Sequence, residues 1–177
     1  MFKLKSAIAG SLFAISAMAA TSAFAYTPGG YSAAGPGSTS LVYGTLSIPC
    51  TGQFGIYVPT AGAPTAYIIN TSTYPTKFTG NFLCTGVTPN GLTATTGWQI
   101  GAATEVSSGV WQAPVTGASV HIALLGINCT QLPTDTVTIT INQNVTPHVA
   151  SFVGTLHNGT TACTVNGAGL ATGITAP

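Results

Sequence analysis

The stretch Gly44-Thr-Leu-Ser-Ile-Pro-Cys-Thr-Gly-Gln-Phe54 contains the first of four cysteines, and a threonine follows each of them. Cys50 and Cys84 stand 34 positions apart, and so do Cys129 and Cys163. Apolar or small residues precede every cysteine, which predicts four strands whose sulfur atoms point into a core. The sequence around Cys50 therefore predicts a β-domain that is held together by its cysteines.

The cysteines can be used in more than one way. Four cysteines in an exported chain imply disulfides, and they allow three pairings. The equal spacings favour Cys50–Cys84 with Cys129–Cys163, and each bridge would contribute about 3–4 kcal/mol. Zinc is the competing use, but no two cysteines have the close spacing of a zinc site and none has a histidine beside it. We therefore expect two disulfides, no metal and no other cofactor.

The first 25 residues have the pattern of a signal peptide. A basic start (Met1–Lys5) is followed by an apolar run and by Ala23-Phe-Ala25, which predicts cleavage after Ala25. A membrane anchor is the alternative, but the run is short and is diluted by serines and threonines. No later stretch is long and apolar enough to span a bilayer, so we expect an extracellular mature chain, free, cell-surface associated or periplasmic.

After Ala25 the chain has three charged side chains, Lys77, Glu105 and Asp135, and no arginine. Nucleic acids and anionic lipids are both held by Lys and Arg, so this composition excludes both as partners. The same part of the chain contains 29 threonines. Low charge combined with high β-propensity favours contact with apolar material or self-association.

The chain after Ala25 divides into an arm and one domain. Residues 26–40 are rich in Gly, Pro and Ser without hydrophobic periodicity, which predicts a flexible or extended arm. Residues 41–177 consist of short β-rich runs separated by turn residues, including a predicted turn at Ala61–Pro64. The matching cysteine spacings suggest two similar halves, 41–116 and 117–177.

Alternation of apolar and polar residues predicts the strand faces. The clearest case is Thr134–Gln143, where Val137, Ile139 and Ile141 face the core and threonines face water. Similar alternation predicts that Phe78 and Phe82 lie on one side of a strand, and that Val120, Ile122 and Leu124 lie on one face of another.

The predicted fold is all-β. No part of the mature chain has the periodicity of an amphipathic helix. About ten short strands with frequent turns predict an antiparallel β-sandwich, either Greek-key/Ig-like or jelly-roll-like.

Residues able to perform catalysis are scarce. Glu105 and Asp135 are the only carboxylates after Ala25 and have no supporting motif, and the three histidines lie far apart in the sequence as His121, His148 and His157. The sequence also lacks a nucleophile elbow and a phosphate-binding glycine loop. We therefore expect no enzyme and assign no catalytic residue.

Four aromatic residues are candidates for an apolar or partner contact: Trp98, Trp111, Tyr67 and Tyr74. Exposed rings of this kind could also stack on sugars, which makes a carbohydrate-binding module a third functional class. In a β-domain of this size, core packing is the simpler use for most aromatic side chains.

Several motifs resemble one protein family. They are Gly37-Ser-Thr-Ser-Leu41, Leu46-Ser-Ile-Pro-Cys50-Thr, Cys84 followed by Trp98, Gly126-Ile-Asn-Cys129 and Ala162-Cys-Thr-Val-Asn-Gly167. Together they resemble the alkane-oxidation protein activator family (PraB-like), small secreted proteins of pseudomonads and related bacteria. The resemblance implies an extracellular, non-enzymatic accessory that helps cells to take up or emulsify hydrocarbon, and it transfers no catalytic residues.

The sequence thus supports two principal hypotheses. The first is a secreted surface-active or matrix-type accessory that promotes assimilation of apolar substrates such as alkanes. The alternative is a structural subunit of an extracellular fibre, fimbria or biofilm matrix, which would polymerise by donating the arm 26–40 to a sheet edge of the next copy.

Overall fold

The computed structural model describes residues 30–59 and 65–172. The predicted signal peptide, residues 26–29 of the predicted arm and the predicted turn at Ala61–Pro64 lie outside this part of the chain. The described residues form an all-β structure with a single-turn α-helix, α1 (Phe82–Thr85), and a 3₁₀ turn (Ala123–Leu125). The strands are β1 (Gly30–Tyr43), β2 (Leu46–Val58), β3 (Ala66–Ile69), β4 (Lys77–Gly80), β5 (Val87–Pro89), β6 (Trp98–Ile100), β7 (Thr104–Ser107), β8 (Val110–Thr116), β9 (Ser119–Ile122), β10 (Ile127–Thr130), β11 (Val137–Asn142), β12 (Val149–Asn158) and β13 (Thr161–Thr172).

Eight antiparallel strands close into a barrel. Their order is β11-β8-β6-β3-β2-β1-β13-β12, and β12 then pairs with β11 to complete the ring. The other strands extend this ring: β4 pairs with β2, β7 pairs with β8, and β10, β9 and β5 continue from β12. The prediction of an all-β antiparallel fold is confirmed.

The sheet does not form the predicted two-layer sandwich. A sandwich needs sheets with free lateral edges, whereas β11 pairs with β8 on one side and with β12 on the other. The four strands at the centre are long, between 10 and 14 residues. Because right-handed twist accumulates along a strand, long strands curl a sheet until it can close. The prediction of short strands led to the wrong architecture.

Residues 30–40 of the predicted arm are extended but not free, because they belong to β1 and pair with β2 on one side and β13 on the other. The glycines that suggested flexibility serve a close approach between strands instead. A Cβ at Gly37 would collide with the carbonyl oxygen of Ala168, and one at Gly169 would lie 2.6 Å from Cα of Gly35. Glycine in these strands is therefore explained by packing of backbone against backbone.

The chain reverses direction before Cys50. It turns at Gly44, where φ is +57°, and β2 then continues through Cys50. A two-residue hairpin turn favours positive φ, and glycine adopts it without steric cost.

Aromatic side chains fill the barrel. The rings of Phe54 and Phe152 stack with centroids 5.1 Å apart, and the centroid of Trp98 lies 6.1 Å from that of Phe152. The cavity beside Phe54 and Phe152 measures about 10 Å³, room for no more than one water molecule. As predicted, Val137, Ile139 and Ile141 are buried on β11.

Both predicted disulfides are confirmed. Cys50 of β2 is bonded to Cys84 of α1, and Cys129 of β10 is bonded to Cys163 of β13. One bridge joins a strand to a helix and the other joins two strands, so equal spacing in the sequence does not correspond to equal positions in the fold. The division into two similar halves stays a prediction. No helix within the described ranges is long and apolar enough to cross a membrane.

Candidate functional site

The two tryptophans are core residues. Trp98 is 2 % exposed and Trp111 is 7 % exposed. The indole Nε1 of Trp98 donates a hydrogen bond to the carbonyl oxygen of Asn90 at 2.9 Å. Neither indole presents a face to solvent, so the predicted contact surface does not include them.

The two predicted tyrosines are half-buried. Tyr67 of β3 lies directly opposite Tyr57 of β2, so these two side chains share the outer face of the barrel. Tyr74 lies in the segment between β3 and β4, and its carbonyl oxygen closely approaches Gly55. The structure therefore leaves Tyr67 partly accessible on the wall and does not combine the four predicted aromatics into one platform.

The titratable side chains lie in separate local contacts. Oε1 of Glu105 accepts a hydrogen bond from N of Gly109 at 2.8 Å in the turn between β7 and β8. Nδ1 of His121 lies 2.9 Å from Oδ1 of Asn128. Oδ2 of Asp135 lies 3.0 Å from Nδ1 of His157 and accepts a hydrogen bond from N of Leu132 at 2.8 Å.

In many hydrolases a carboxylate orients the catalytic imidazole through Nδ1, and Asp135 makes the same kind of contact with His157. Catalysis would also require a nucleophile within hydrogen-bonding distance of the imidazole. The side-chain hydrogen bond that the structure shows for His157 goes to the carboxylate. Its observed role is to join the segment between β10 and β11 to β12.

A cleft of about 260 Å³ adjoins this pair and is lined by Thr116, Gly117, Gln131, Leu132, Pro133 and Asp135. Both ends of the Gln131 side-chain amide are hydrogen-bonded to backbone atoms. Its Oε1 accepts from N of Ala118 at 3.1 Å, and its Nε2 donates to the carbonyl oxygen of Val115 at 2.8 Å. The polar side chains of the cleft thus hold neighbouring backbone in place.

Large apolar side chains stand exposed on this nearly uncharged surface. In the part of the chain that the structure describes there are eight of them: Phe82, Val106, Leu124, Leu125, Leu132, Val145, Val153 and Leu170. Phe82 has the highest exposed fraction, 73 %, and Leu124 follows with 57 %. Both belong to short helical turns, whereas strand alternation in the sequence had placed Phe82 on the face of Phe78 and Leu124 on the face of Ile122, and these two neighbours are buried.

Phe82 is exposed because the predicted strand ends at Gly80. Oδ1 of Asn81 accepts hydrogen bonds from N of Leu83 at 3.0 Å and from N of Cys84 at 3.1 Å, which caps the start of α1. The helical turn directs Leu83 and Cys84 toward the core and leaves Phe82 in solvent. An asparagine before an apolar run is a helix N-cap signal, so the sequence contained a sign of this turn.

Leu124 is exposed for a similar reason. β9 ends at Ile122, and the chain then forms the 3₁₀ turn, which ends at Gly126 with φ of +63°. Glycine after an apolar run is a signal for a helix C-terminus. Leu124 and Leu125 consequently leave the face that Val120 and Ile122 occupy.

The end of α1 lies next to the start of the 3₁₀ turn. Val87 of β5 pairs with Ile122 of β9 in antiparallel register, so the residue before Val87 and the residue after Ile122 are neighbours. N of Ala123 donates a hydrogen bond to the carbonyl oxygen of Gly86 at 2.8 Å. We call Phe82, Leu124 and Leu125 the apolar tip.

Within residues 30–59 and 65–172, no three His, Cys, Asp or Glu side chains converge in a group that could hold a metal ion.

No family model, no curated protein and no solved structure matches this chain. The resemblance to the alkane-oxidation protein activator family consequently remains a prediction.

Proposed function

We propose that this protein is an exported, non-enzymatic accessory that acts at the surface of apolar substrates such as alkanes. The observation that carries the proposal is the surface itself: eight large apolar side chains are exposed in the described part of a chain whose charges after Ala25 are Lys77, Glu105 and Asp135. Such a surface can lie against hydrocarbon without the cost of removing many charges from water.

The filled barrel supports contact on the outside of the molecule. Because Phe54, Trp98 and Phe152 occupy the interior, a hydrocarbon chain has no room in the small cavity beside them. The accessory would therefore act by covering an apolar surface and not by carrying single molecules in its barrel.

Export is part of the proposal. The predicted signal peptide, cleaved after Ala25, would deliver the chain to the cell exterior or the periplasm. The two disulfides support this location, because such bonds form and persist in oxidising compartments.

The direct test is the interfacial tension between water and hexadecane. Purified protein beginning at Tyr26 should lower this tension more than an equal mass of albumin does. An effect no larger than that of albumin would count against the proposal.

The fibre-subunit alternative now needs a different donor segment. Residues 30–40 of the predicted donor arm are paired on both sides within the barrel, and donation would require β1 to leave two neighbouring strands. Electron micrographs of secreted material that contain fibres would favour the alternative over an accessory acting as separate molecules.

A further inference from the structure

We propose that the apolar tip is the part of the protein that enters the hydrocarbon phase, while the threonine-rich wall of the barrel stays in water. This inference rests on the proposed function and names the residues that make the contact. Its occupant is a bare hydrocarbon surface, such as that of an alkane droplet.

The tip is held in an exposed conformation. A helix of four residues is not stable by itself, because nucleation of a helical turn is unfavourable. Here the Asn81 side chain caps the turn, and the disulfide from Cys84 to Cys50 attaches it to β2. Phe82 therefore stays 73 % exposed at a fixed position, and contact with an apolar phase requires little further ordering.

The second turn adds to the same surface. The hydrogen bond from N of Ala123 to the carbonyl oxygen of Gly86 fixes the 3₁₀ turn beside α1. A Cβ built on Gly86, the residue that follows α1, would lie 3.7 Å from N of Leu124, so the backbone at the end of α1 lies beside the 3₁₀ turn. Leu124 and Leu125 are thereby exposed next to the helical turn that exposes Phe82.

The size of the tip argues against a protein as its partner. A specific protein interface involves about 20–30 residues on each side, whereas the tip presents three large apolar side chains. A fluid hydrocarbon surface adapts to the shape of the protein that contacts it. Three side chains can therefore enter it without the roughly 20–30 residues that a protein interface needs.

The composition of the tip argues against lipid headgroups. Proteins that bind at the headgroup level combine apolar residues such as Phe and Leu with Lys and Arg for anionic lipids and with Trp and Tyr as interfacial anchors. The last four types distinguish a headgroup-binding surface from one that is only apolar. The segments 81–86 and 122–126, which form the two turns, contain none of these four residue types. A hydrocarbon surface without headgroups fits this composition better than a bilayer does.

Val153 and Leu170 provide a matched control. They are 48 % and 45 % exposed, so they resemble the tip residues in accessibility. They lie on the barrel wall, where Val153 is opposite Asn166 and Leu170 is opposite Val149. If general apolar exposure caused adsorption, removing these two side chains would matter as much as removing tip side chains.

The first experiment measures adsorption of the chain beginning at Tyr26 to hexadecane droplets of fixed total area. The variant Phe82→Ser with Leu124→Ser should lose roughly tenfold or more in affinity, because two large apolar side chains no longer leave water. The variant Val153→Ser with Leu170→Ser should stay within about twofold of the unmodified chain. Thermal unfolding and an assay for free thiols would verify that both variants fold.

The outcomes separate this inference from the proposed function. An unmodified chain that does not adsorb would overturn both. Adsorption that the tip variant retains, or that the wall variant loses equally, would overturn the inference and leave the function standing. Tip-dependent binding that is stronger to phosphatidylcholine vesicles, or a tip-dependent dimer without oil, would also overturn it, because the occupant would then be a bilayer or a second copy.

A second experiment reads the contact directly. Phe82→Trp and Val153→Trp each add an exposed indole to a chain whose own two indoles are buried. On droplets that contain a brominated alkane, the added fluorescence of Phe82→Trp should be quenched and that of Val153→Trp should not. Equal quenching of the two variants, or quenching of Val153→Trp alone, would contradict insertion through the tip.

Discussion

Oδ2 of Asp135 lies 3.0 Å from Nδ1 of His157, and this contact joins the segment that precedes β11 to the last part of β12. The Asp135 side chain is 5 % exposed and that of His157 is 24 % exposed. The hydrogen bond from N of Leu132 lowers the pKa of Asp135 most, and the hydrogen bond from His157 lowers it further. The pair therefore links the stability of the fold to pH.

The sign of this linkage follows from the lowered pKa of Asp135. A carboxylate with a lowered folded-state pKa contributes stability above its unfolded pKa of about 4 and loses it as pH falls through the folded value. We expect Asp135→Asn to unfold at lower urea concentration than the unmodified chain at about pH 6, and the difference to shrink toward about pH 2.

A second variant and the pH profile itself test whether the charge of Asp135 is the cause. His157→Gln should reduce the pH dependence only in part, because the hydrogen bond from Leu132 remains. A difference between Asp135→Asn and the unmodified chain that stays constant over this pH range would show that the charge of Asp135 is not the cause.

The ring of Phe152 is central to the filled barrel, since it lies near both Phe54 and Trp98. Phe152→Ala should lower the free energy of unfolding by about 3–5 kcal/mol, because it removes a large ring and leaves a cavity. Val153→Ala, at the adjacent and exposed position, should change it by less than about 0.5 kcal/mol. Urea unfolding followed by circular dichroism would measure both, and equal losses would contradict the described interior.

Thr76 is a buried polar residue with two backbone partners. Its Oγ1 donates to the carbonyl oxygen of Ile69 at 2.6 Å and accepts from N of Gly55 at 2.9 Å. Thr76→Val should cost about 1–3 kcal/mol, because buried backbone groups lose their partner. The same substitution at the exposed Thr164 should be nearly neutral in the same unfolding assay. A neutral Thr76→Val would show that these hydrogen bonds do not form in solution.

The two disulfides close loops of equal sequence separation, 34 residues in each case. Replacing either pair of cysteines by serine should therefore lower the free energy of unfolding by a similar amount, about 3–4 kcal/mol. The local effect should differ. Loss of Cys50–Cys84 should speed hydrogen exchange at the amide of Leu83 and at the amide of the residue that follows it, whereas loss of Cys129–Cys163 should not. Equal exchange in both variants would contradict the attachment of α1 through its disulfide.

The sequence predicted the all-β class and the buried face of β11 because both depend on a local pattern, and it predicted the disulfide pairing from the equal cysteine spacings. Period-two alternation is enough to orient Val137, Ile139 and Ile141 when a strand is regular along its whole length. Closure of the barrel depends on twist accumulated over long strands and on pairing between residues distant in sequence. No local pattern contains that information.

The apolar tip was missed for a different physical reason. Alternation placed Phe82 with Phe78 and Leu124 with Ile122, but in both cases the strand ends before the last residue of the pattern. The capping residues Asn81 and Gly126 were visible in the sequence. They compete with alternation, and over only four residues a cap decides the conformation more strongly than the pattern does.

Pendant-drop tensiometry of the chain beginning at Tyr26, at the water–hexadecane interface and over a range of salt concentrations, tests the central claim most directly. The contact is apolar, and the chain carries three charged side chains after Ala25. The protein should therefore lower the tension equally at about 0.01 M and about 1 M salt, although the Debye length differs about tenfold between these two concentrations. A protein that leaves the tension unchanged, or that acts at low salt alone, would contradict the account.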